Sequence, residues 1–108
     1  MAESHKKWEV FARDYRRYIR LEKHLSENTV DAYMRDLEEF AHYIMRWFDV
    51  PPERVEQPMI ERYMAWLYER GREKSSQARN LSGIKSFFNF LLLNEIIESS
   101  PAELIAPP

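Results

Sequence analysis

Apolar residues at helical spacing dominate the last third of this 108-residue chain and limit what it can fold into. Between Lys74 and Asn94, apolar side chains recur three or four positions apart, as on one face of an α-helix. They are Leu81, Ile84, Phe87, Phe88, Leu91 and Leu92. A second stripe is small or polar: Ser76, Arg79, Asn80, Gly83 and Ser86. The pattern predicts one long helix with a buried apolar face and an exposed polar face.

Three earlier segments have the same apolar spacing, and no segment alternates with the period of a strand. They run from about Lys6 to Glu22, from Glu27 to about Phe48, and from about Pro58 to Gly71. Aromatic residues make up 14% of the chain and occur in all four segments, as a compact bundle requires. The sequence therefore predicts an all-α fold, a compact bundle of four main helices in a single domain over residues 1–108.

Capping residues, proline and glycine predict where the helices begin and end. Ser26 is a predicted N-cap, because its hydroxyl can accept a backbone N–H of the following turn. Pro58 suits a first helical turn, and Gly71 suits a left-handed helix terminator. Ser75 or Ser76 should cap the last helix.

The C-terminal tail is predicted to follow the last helix closely. We expect Ile96 and Ile97 to fold back onto the core. The ordered core should span about residues 5–100. Residues 101–108 should add at most one short fifth turn and begin a linker to a further domain.

Composition excludes several classes of protein. The chain has no cysteine, so it has no disulfide framework and no thiolate zinc site. No run approaches the roughly 18 apolar residues of a membrane span, and the N-terminus lacks the apolar core of a secretory signal. We expect a soluble, cytoplasmic protein without membrane contact.

The residues offer no catalytic set, metal site or cofactor site. His5, His24 and His42 are far apart in sequence, whereas zinc sites on helices use closely spaced ligands. No glycine-rich phosphate loop is present. Asp36, Glu38 and Glu39 cluster on the second helix, and we interpret them as a solvated acidic face.

Binding is the remaining function, and two helix starts carry suitable side chains. Helix N-termini present backbone N–H groups and a positive dipole end to phosphate, and Arg, Asn, Gln and Ser contact phosphates and base edges. The candidates are Asn28, Thr29 and Arg35 in the second helix, and Lys74, Ser76, Gln77, Arg79, Asn80 and Lys85 in the fourth. The alternative is that the serines and threonine are caps and the arginines only solubilise the chain.

Charge is compatible with either interpretation. The net charge is −2, but residues 1–24 carry seven Lys or Arg against four Asp or Glu, and residues 71–94 carry four against one. Residues 25–57 are acidic, with eight Asp or Glu against three Arg. A segregated charge distribution can still steer a polyanion.

Two ordered motifs resemble the core-binding domain of Xer-type tyrosine recombinases and phage-type integrases. The first is Leu25-Ser26-Glu27-Asn28-Thr29, which leads into a helix with Tyr33 and the triplet Arg35-Asp36-Leu37. The second runs from Ser75 to Phe88 and is similar to the fourth helix of that domain. Ser100-Pro101 is similar to its end, where Asn-Pro is the commoner pair. The resemblance covers about residues 5–108.

The resemblance implies a SAM-like helical domain that forms half of a clamp around a recombination half-site. It implies duplex DNA, a C-terminal catalytic domain of the same parent chain and other recombinase protomers as partners, with no metal or nucleotide cofactor. The tyrosine nucleophile would belong to the catalytic domain, so this chain is not an enzyme by itself. DNA contacts are expected at Asn28, Thr29 and Arg35, and at Ser76, Gln77, Arg79, Asn80 and Lys85. The acidic second segment implies weak, salt-sensitive binding.

A helical module for protein–protein interaction, with no role in nucleic-acid binding, is the alternative function. If the domain binds DNA, a duplex should perturb residues 26–36 and 74–86. A protein-interaction module should instead respond on an apolar patch to a protein partner, and not to DNA.

Overall fold

Four α-helices account for most of the computed structural model, which describes residues 2–108. Helix α1 spans Ala2–Leu21, α2 spans Glu27–Trp47, α3 spans Gln57–Glu69 and α4 spans Lys74–Leu93. A short 3₁₀ helix, Pro52–Arg54, lies in the segment between α2 and α3. No strand occurs within residues 2–108. The predicted all-α bundle of four main helices is confirmed.

Phe40 of α2 lies at the centre of the core and meets aromatic rings from the three other helices. Its ring centroid is 5.9 Å from that of Trp8 in α1, 5.0 Å from Tyr63 in α3 and 6.2 Å from Phe88 in α4. All three pairs meet edge to face, which is a favoured geometry for aromatic quadrupoles. Phe40 is fully buried, so one side chain connects the apolar stripes of all four helices.

Most of the predicted helix ends are confirmed, but the starts of α1 and α4 are not. Helix α1 begins at Ala2, four residues before the predicted Lys6. The Ser26 hydroxyl accepts the backbone N–H of Thr29 at 3.2 Å, as expected of an N-cap. Pro58 lies in the first turn of α3, and Gly71 has the left-handed φ of 77° expected of a terminator. Helix α4 instead begins at Lys74, after an N-cap residue, Glu73, whose side chain makes no capping hydrogen bond. Ser75 and Ser76 therefore lie inside the first turn.

The predictions for the end of α4 and the tail are partly confirmed. Ile97 packs against the core, but Ile96 is 40% exposed. Leu92, predicted to be buried, is 38% exposed because it lies in the last turn of α4, where its neighbour Leu93 is also uncovered. Apolar spacing predicts which side of a helix a residue lies on. It does not predict how far the neighbouring helices extend along that helix and cover its last turn.

The tail after α4 contributes to the core beyond the predicted limit of residue 100. Residues 101–104 form the predicted short turn. Ala102 is fully buried and Ile105 is 8% exposed, and both belong to the core cluster. The tail therefore packs against the bundle as far as Ile105. None of the helices in residues 2–108 has the length and apolar character needed to cross a membrane.

Gly83 of α4 faces Tyr33 of α2 across the contact between these helices. A β-carbon at position 83 would lie 3.8 Å from two ring atoms of Tyr33, which is ordinary van der Waals contact. Because glycine in a helix interior is less favourable than alanine, we expect Gly83→Ala to raise the free energy of unfolding by about 0.5–1 kcal/mol. Urea denaturation would measure this change. A loss of stability would show that α2 and α4 cannot accept a methyl group here.

Candidate nucleic-acid interface

A partly buried ion pair joins α2 to α4 within the predicted DNA-binding region. Arg79 donates two hydrogen bonds to the Asp36 carboxylate, from Nε at 2.7 Å and from a terminal nitrogen at 3.0 Å. The Asp36 side chain is 6% exposed and the Arg79 side chain 44%. The hydrogen bond to Asp36 raises the pKa of Arg79 above its ordinary value. Asp36 is therefore not part of a solvated acidic face, and that prediction is wrong for this residue.

A second pair holds the segment before α4 against α2. Arg72 donates to both carboxylate oxygens of Glu39, at 3.1 and 2.6 Å, and this bond raises the pKa of Arg72. The Gln77 amide donates to the Arg72 carbonyl at 2.8 Å. These bonds fix the start of α4 relative to α2. Of the predicted acidic cluster, Asp36 is buried, Glu39 is partly buried and Glu38 is exposed.

Asn80 is completely buried between α3 and α4. Its amide oxygen accepts the Tyr63 hydroxyl at 2.9 Å, and its amide nitrogen donates to the Ser76 carbonyl at 3.1 Å. Burial is the main cause that raises the pKa of Tyr63 well above its ordinary value. A buried polar side chain is tolerated when it is hydrogen-bonded, so this network has a structural role.

The prediction that this polar face of α4 meets solvent is therefore wrong for most of its residues. Gln77 and Asn80 are 4% and 0% exposed, Gly83 is buried against Tyr33, and Ser86 accepts the Tyr15 hydroxyl at 2.9 Å. These side chains point between the helices because Tyr63 and Tyr33 cover that side of α4. Gln77 and Asn80 are not available to DNA, although they were predicted to contact it.

The solvent-facing stripe of α4 lies about a third of a turn away from the predicted one. Its residues are small or polar, are exposed or partly exposed, and recur three or four positions apart: Ser75, Ala78, Ser82, Lys85 and Asn89. We call these five residues the α4 stripe. Ser82 and Asn89 were missed as candidates, because in a helical projection Arg79 and Ser86 lie closest to the direction opposite Leu81, Ile84 and Phe88.

The remaining candidates are at the surface. Asn28, Arg35 and Lys74 are exposed, and Ser76 is partly buried. Thr29 is engaged in the cap, because its hydroxyl oxygen accepts the Ser26 hydroxyl at 2.9 Å. Thr29 is therefore bound by the N-cap residue Ser26 through both its hydroxyl oxygen and its backbone N–H.

Helix α4 has no acidic residue in its 20 positions, whereas the whole chain has 18. Lys74 and Lys85 add positive charge at its surface, and the positive end of the helix dipole adds to it near Lys74. The Arg79 charge is largely offset by Asp36. The outer surface of α4 is thus positive and free of its own carboxylates. Within residues 2–108, no three His, Cys, Asp or Glu side chains group so that they could hold a metal ion.

Comparison with known families assigns the fold. A family model described as phage integrase, N-terminal SAM-like domain, matches residues 12–95. The chain belongs to this family. The resemblance of the two sequence motifs to recombinases and integrases is therefore confirmed, and the bundle is a SAM-like domain.

Curated relatives of this SAM-like domain are tyrosine recombinases. XerC of Pelobacter propionicus is 39% identical over 98 residues, which cover 89% of this chain and 32% of that protein. XerD of Chlorobaculum tepidum is 34% identical over 108 residues, which cover 100% of this chain and 35% of that protein. XerC of Natranaerobius thermophilus is 35% identical over 96 residues, covering 88% and 32%. The chain spans 31–35% of the length of such relatives. No solved structure matches the chain significantly.

Proposed function

We propose that this SAM-like domain binds duplex DNA as part of a site-specific tyrosine recombinase. In this proposal α2 and α4 grip a recombination half-site, while a catalytic domain elsewhere in the parent protein cleaves and joins the strands. The α4 stripe is the observation that carries the proposal, since it is an exposed helical surface of small polar side chains without carboxylates. The names of the relatives support the recombinase role.

The dimensions and side chains of α4 suit the major groove. The groove admits an α-helix, and small side chains such as Ser75, Ala78 and Ser82 allow its backbone to approach closely. Asn89 offers an amide donor and acceptor for base edges. Lys74 and Lys85 suit phosphates, which supply most of the affinity in protein–DNA contacts.

The start of α2 supplies a second point of contact in this proposal. Asn28 and Arg35 are exposed, and the Asp36–Arg79 pair holds α2 beside α4. Arg79 would act mainly by fixing this arrangement, and its partly exposed guanidinium would face the phosphate backbone. With a net charge of −2, the domain alone should bind weakly at physiological salt.

The same proposal includes the partners and the setting. The parent chain would supply the catalytic domain with its tyrosine nucleophile, and other protomers would occupy the neighbouring half-sites. No tyrosine described here is assigned the nucleophile's role. The cytoplasmic location expected from the sequence belongs to this proposal as well.

Lys85→Ala tests the proposed contact surface. If Lys85 neutralises one phosphate, its removal should weaken binding to a fluorescent duplex and reduce the slope of log affinity against log salt by roughly 0.9. Fluorescence anisotropy at several low salt concentrations measures both quantities. Lys6→Ala, which removes an equal charge from the exposed surface of α1, is the matched control and should leave both unchanged.

NMR of the same titration locates the surface. Amide shifts confined to the start of α2 and to the α4 stripe would support the proposal. Equal losses of duplex affinity for Lys85→Ala and Lys6→Ala would indicate diffuse electrostatic attraction without a defined binding surface. Absence of duplex binding at low salt would favour the alternative, a helical protein-interaction module.

A further inference from the structure

A cluster of arginines and tryptophans covers the end of α2 and the outer side of α3, apart from the α4 stripe. We call it the Arg–Trp patch, and it consists of Arg46, Trp47, Arg62, Trp66 and Arg70. Trp47 is 58% exposed, which is unusual for the largest apolar side chain. All three arginines are exposed. The proposed DNA contact uses none of these residues.

Aromatic rings hold the three guanidinium groups in place. The Arg46 guanidinium carbon lies 4.8 Å from the Trp47 ring centroid, that of Arg70 lies 4.7 Å from Trp66, and that of Arg62 lies 5.6 Å from Phe48. Cation–π contact restrains a long side chain without occupying the N–H groups in the guanidinium plane. The patch thus presents positioned donors that suit carboxylate acceptors.

A groove with largely aromatic walls lies within the patch, beside Arg62. Its volume is about 300 Å³, and it is lined by Tyr43, Trp47, Arg62, Ala65, Trp66 and Glu69. The ring centroids of Tyr43 and Trp66, which both line it, are 5.2 Å apart. The groove is large enough for an apolar side chain, because a pocket of this size begins to enclose small ligands.

We propose that the Arg–Trp patch binds an acidic peptide segment of a partner protein, with one apolar side chain of that segment in the groove. Charge complementarity supports this occupant, because the three arginines of the patch outnumber its two unpaired carboxylates. Glu69 lines the groove and Glu38 lines the adjoining cleft with Arg46, whereas Glu39 in that cleft is paired with Arg72. Tryptophan, tyrosine and arginine dominate the energetic centres of protein interfaces. This inference goes beyond the proposed DNA binding and does not depend on it.

The geometry favours a peptide over single-stranded nucleic acid. Bases stack on open aromatic faces. Tyr63 stacks against the Trp66 ring from the core, with centroids 5.8 Å apart and planes inclined by 28°, and the Arg70 guanidinium lies over the ring as well. Arg46 covers a face of Trp47. The patch offers partly covered rings, a groove with largely aromatic walls and guanidinium donors, which suit side chains and carboxylates.

The test is a titration of the 108-residue chain with a short fluorescein-labelled peptide. The probe peptide carries glutamate and aspartate around a central leucine and phenylalanine, and a second peptide has lysine at the acidic positions. We expect saturable binding of the acidic peptide only. Arg46→Glu or Arg70→Glu should weaken it by about tenfold, and Trp47→Ala by about thirtyfold if Trp47 is an energetic centre.

Controls separate the patch from general charge effects. Arg20→Glu makes the same charge change at an exposed position of α1 and should leave peptide binding unchanged, as should Lys85→Ala. Circular dichroism verifies folding, and the arginine variants test the patch even if Trp47→Ala does not fold. Equal binding of both peptides, or no binding of either, would overturn the proposal. Binding of labelled oligothymidine that is lost in the patch variants, without acidic-peptide binding, would reassign the patch to single-stranded nucleic acid.

Discussion

Replacing Trp8 by alanine is expected to lower the free energy of unfolding by about 4 kcal/mol, within the range for large aromatic residues in cores. Trp8 is 3% exposed and stacks on Phe87 with a centroid distance of 5.8 Å. Its ring also meets the edge of Phe40. The change would open a cavity where α1 packs against α2 and α4, and urea denaturation followed by circular dichroism measures the loss.

Trp8→Phe separates packing from hydrogen bonding. The Trp8 indole N–H donates to the Val50 carbonyl at 2.9 Å and so attaches α1 to the segment after α2. Phenylalanine keeps an aromatic ring beside Phe87 but leaves this carbonyl without its donor, at a cost of about 1–3 kcal/mol. A loss below about 1 kcal/mol for Trp8→Ala would contradict the packing described for α1.

Arg79→Ala is expected to destabilise the domain by about 2–3 kcal/mol, and more than Asp36→Asn does. Removing one partner of a buried pair typically costs 3–5 kcal/mol, and we reduce this range because the Arg79 side chain is 44% exposed. The asymmetry has a physical cause. Without Arg79 the Asp36 carboxylate, only 6% exposed, keeps a buried charge without its partner. Without the carboxylate, Arg79 can turn toward water.

A double-mutant cycle tests this asymmetry. Adding Asp36→Asn to Arg79→Ala removes the uncompensated charge, so the double variant should be more stable than Arg79→Ala alone. Denaturation of the three variants and the unchanged chain provides the cycle. Equal, additive losses would show that the pair acts as a solvated surface pair.

This result bears on how DNA binding should be tested. Arg79→Ala would change both the surface charge and the attachment of α4 to α2, so weaker duplex binding by that variant would have two explanations. Lys85 lies in the α4 stripe and is partly exposed, so Lys85→Ala isolates the contact.

Much of the fold could be predicted from particular residues. The spacing of Leu81, Ile84 and Phe88 predicted α4, and Ser26 and Gly71 correctly marked a helix start and a helix end. These predictions succeeded because apolar periodicity and capping are local properties of the chain. The start of α4 was misplaced, because Glu73 occupies the N-cap position without a side-chain hydrogen bond that a sequence pattern could indicate.

The candidate site was harder to predict. Residue type correctly indicated that Asn28, Arg35 and Lys74 are exposed. It failed for Gln77 and Asn80, because polar side chains are exposed on average but are buried where a partner satisfies their hydrogen bonds. The partners are distant in sequence, as with Tyr63 and Asn80.

The sequence by itself determined the four helices, most of their ends, the apolar residues of the core and the family, because each depends on local spacing or on ordered motifs. Only the tertiary structure decided which polar residues of α4 meet solvent. Tyr33, Tyr63 and Asp36, which belong to α2 and α3, cover one side of that helix. The α4 stripe is consequently the side left open. Its direction depends on how the other helices pack against α4, which the sequence of α4 alone does not specify.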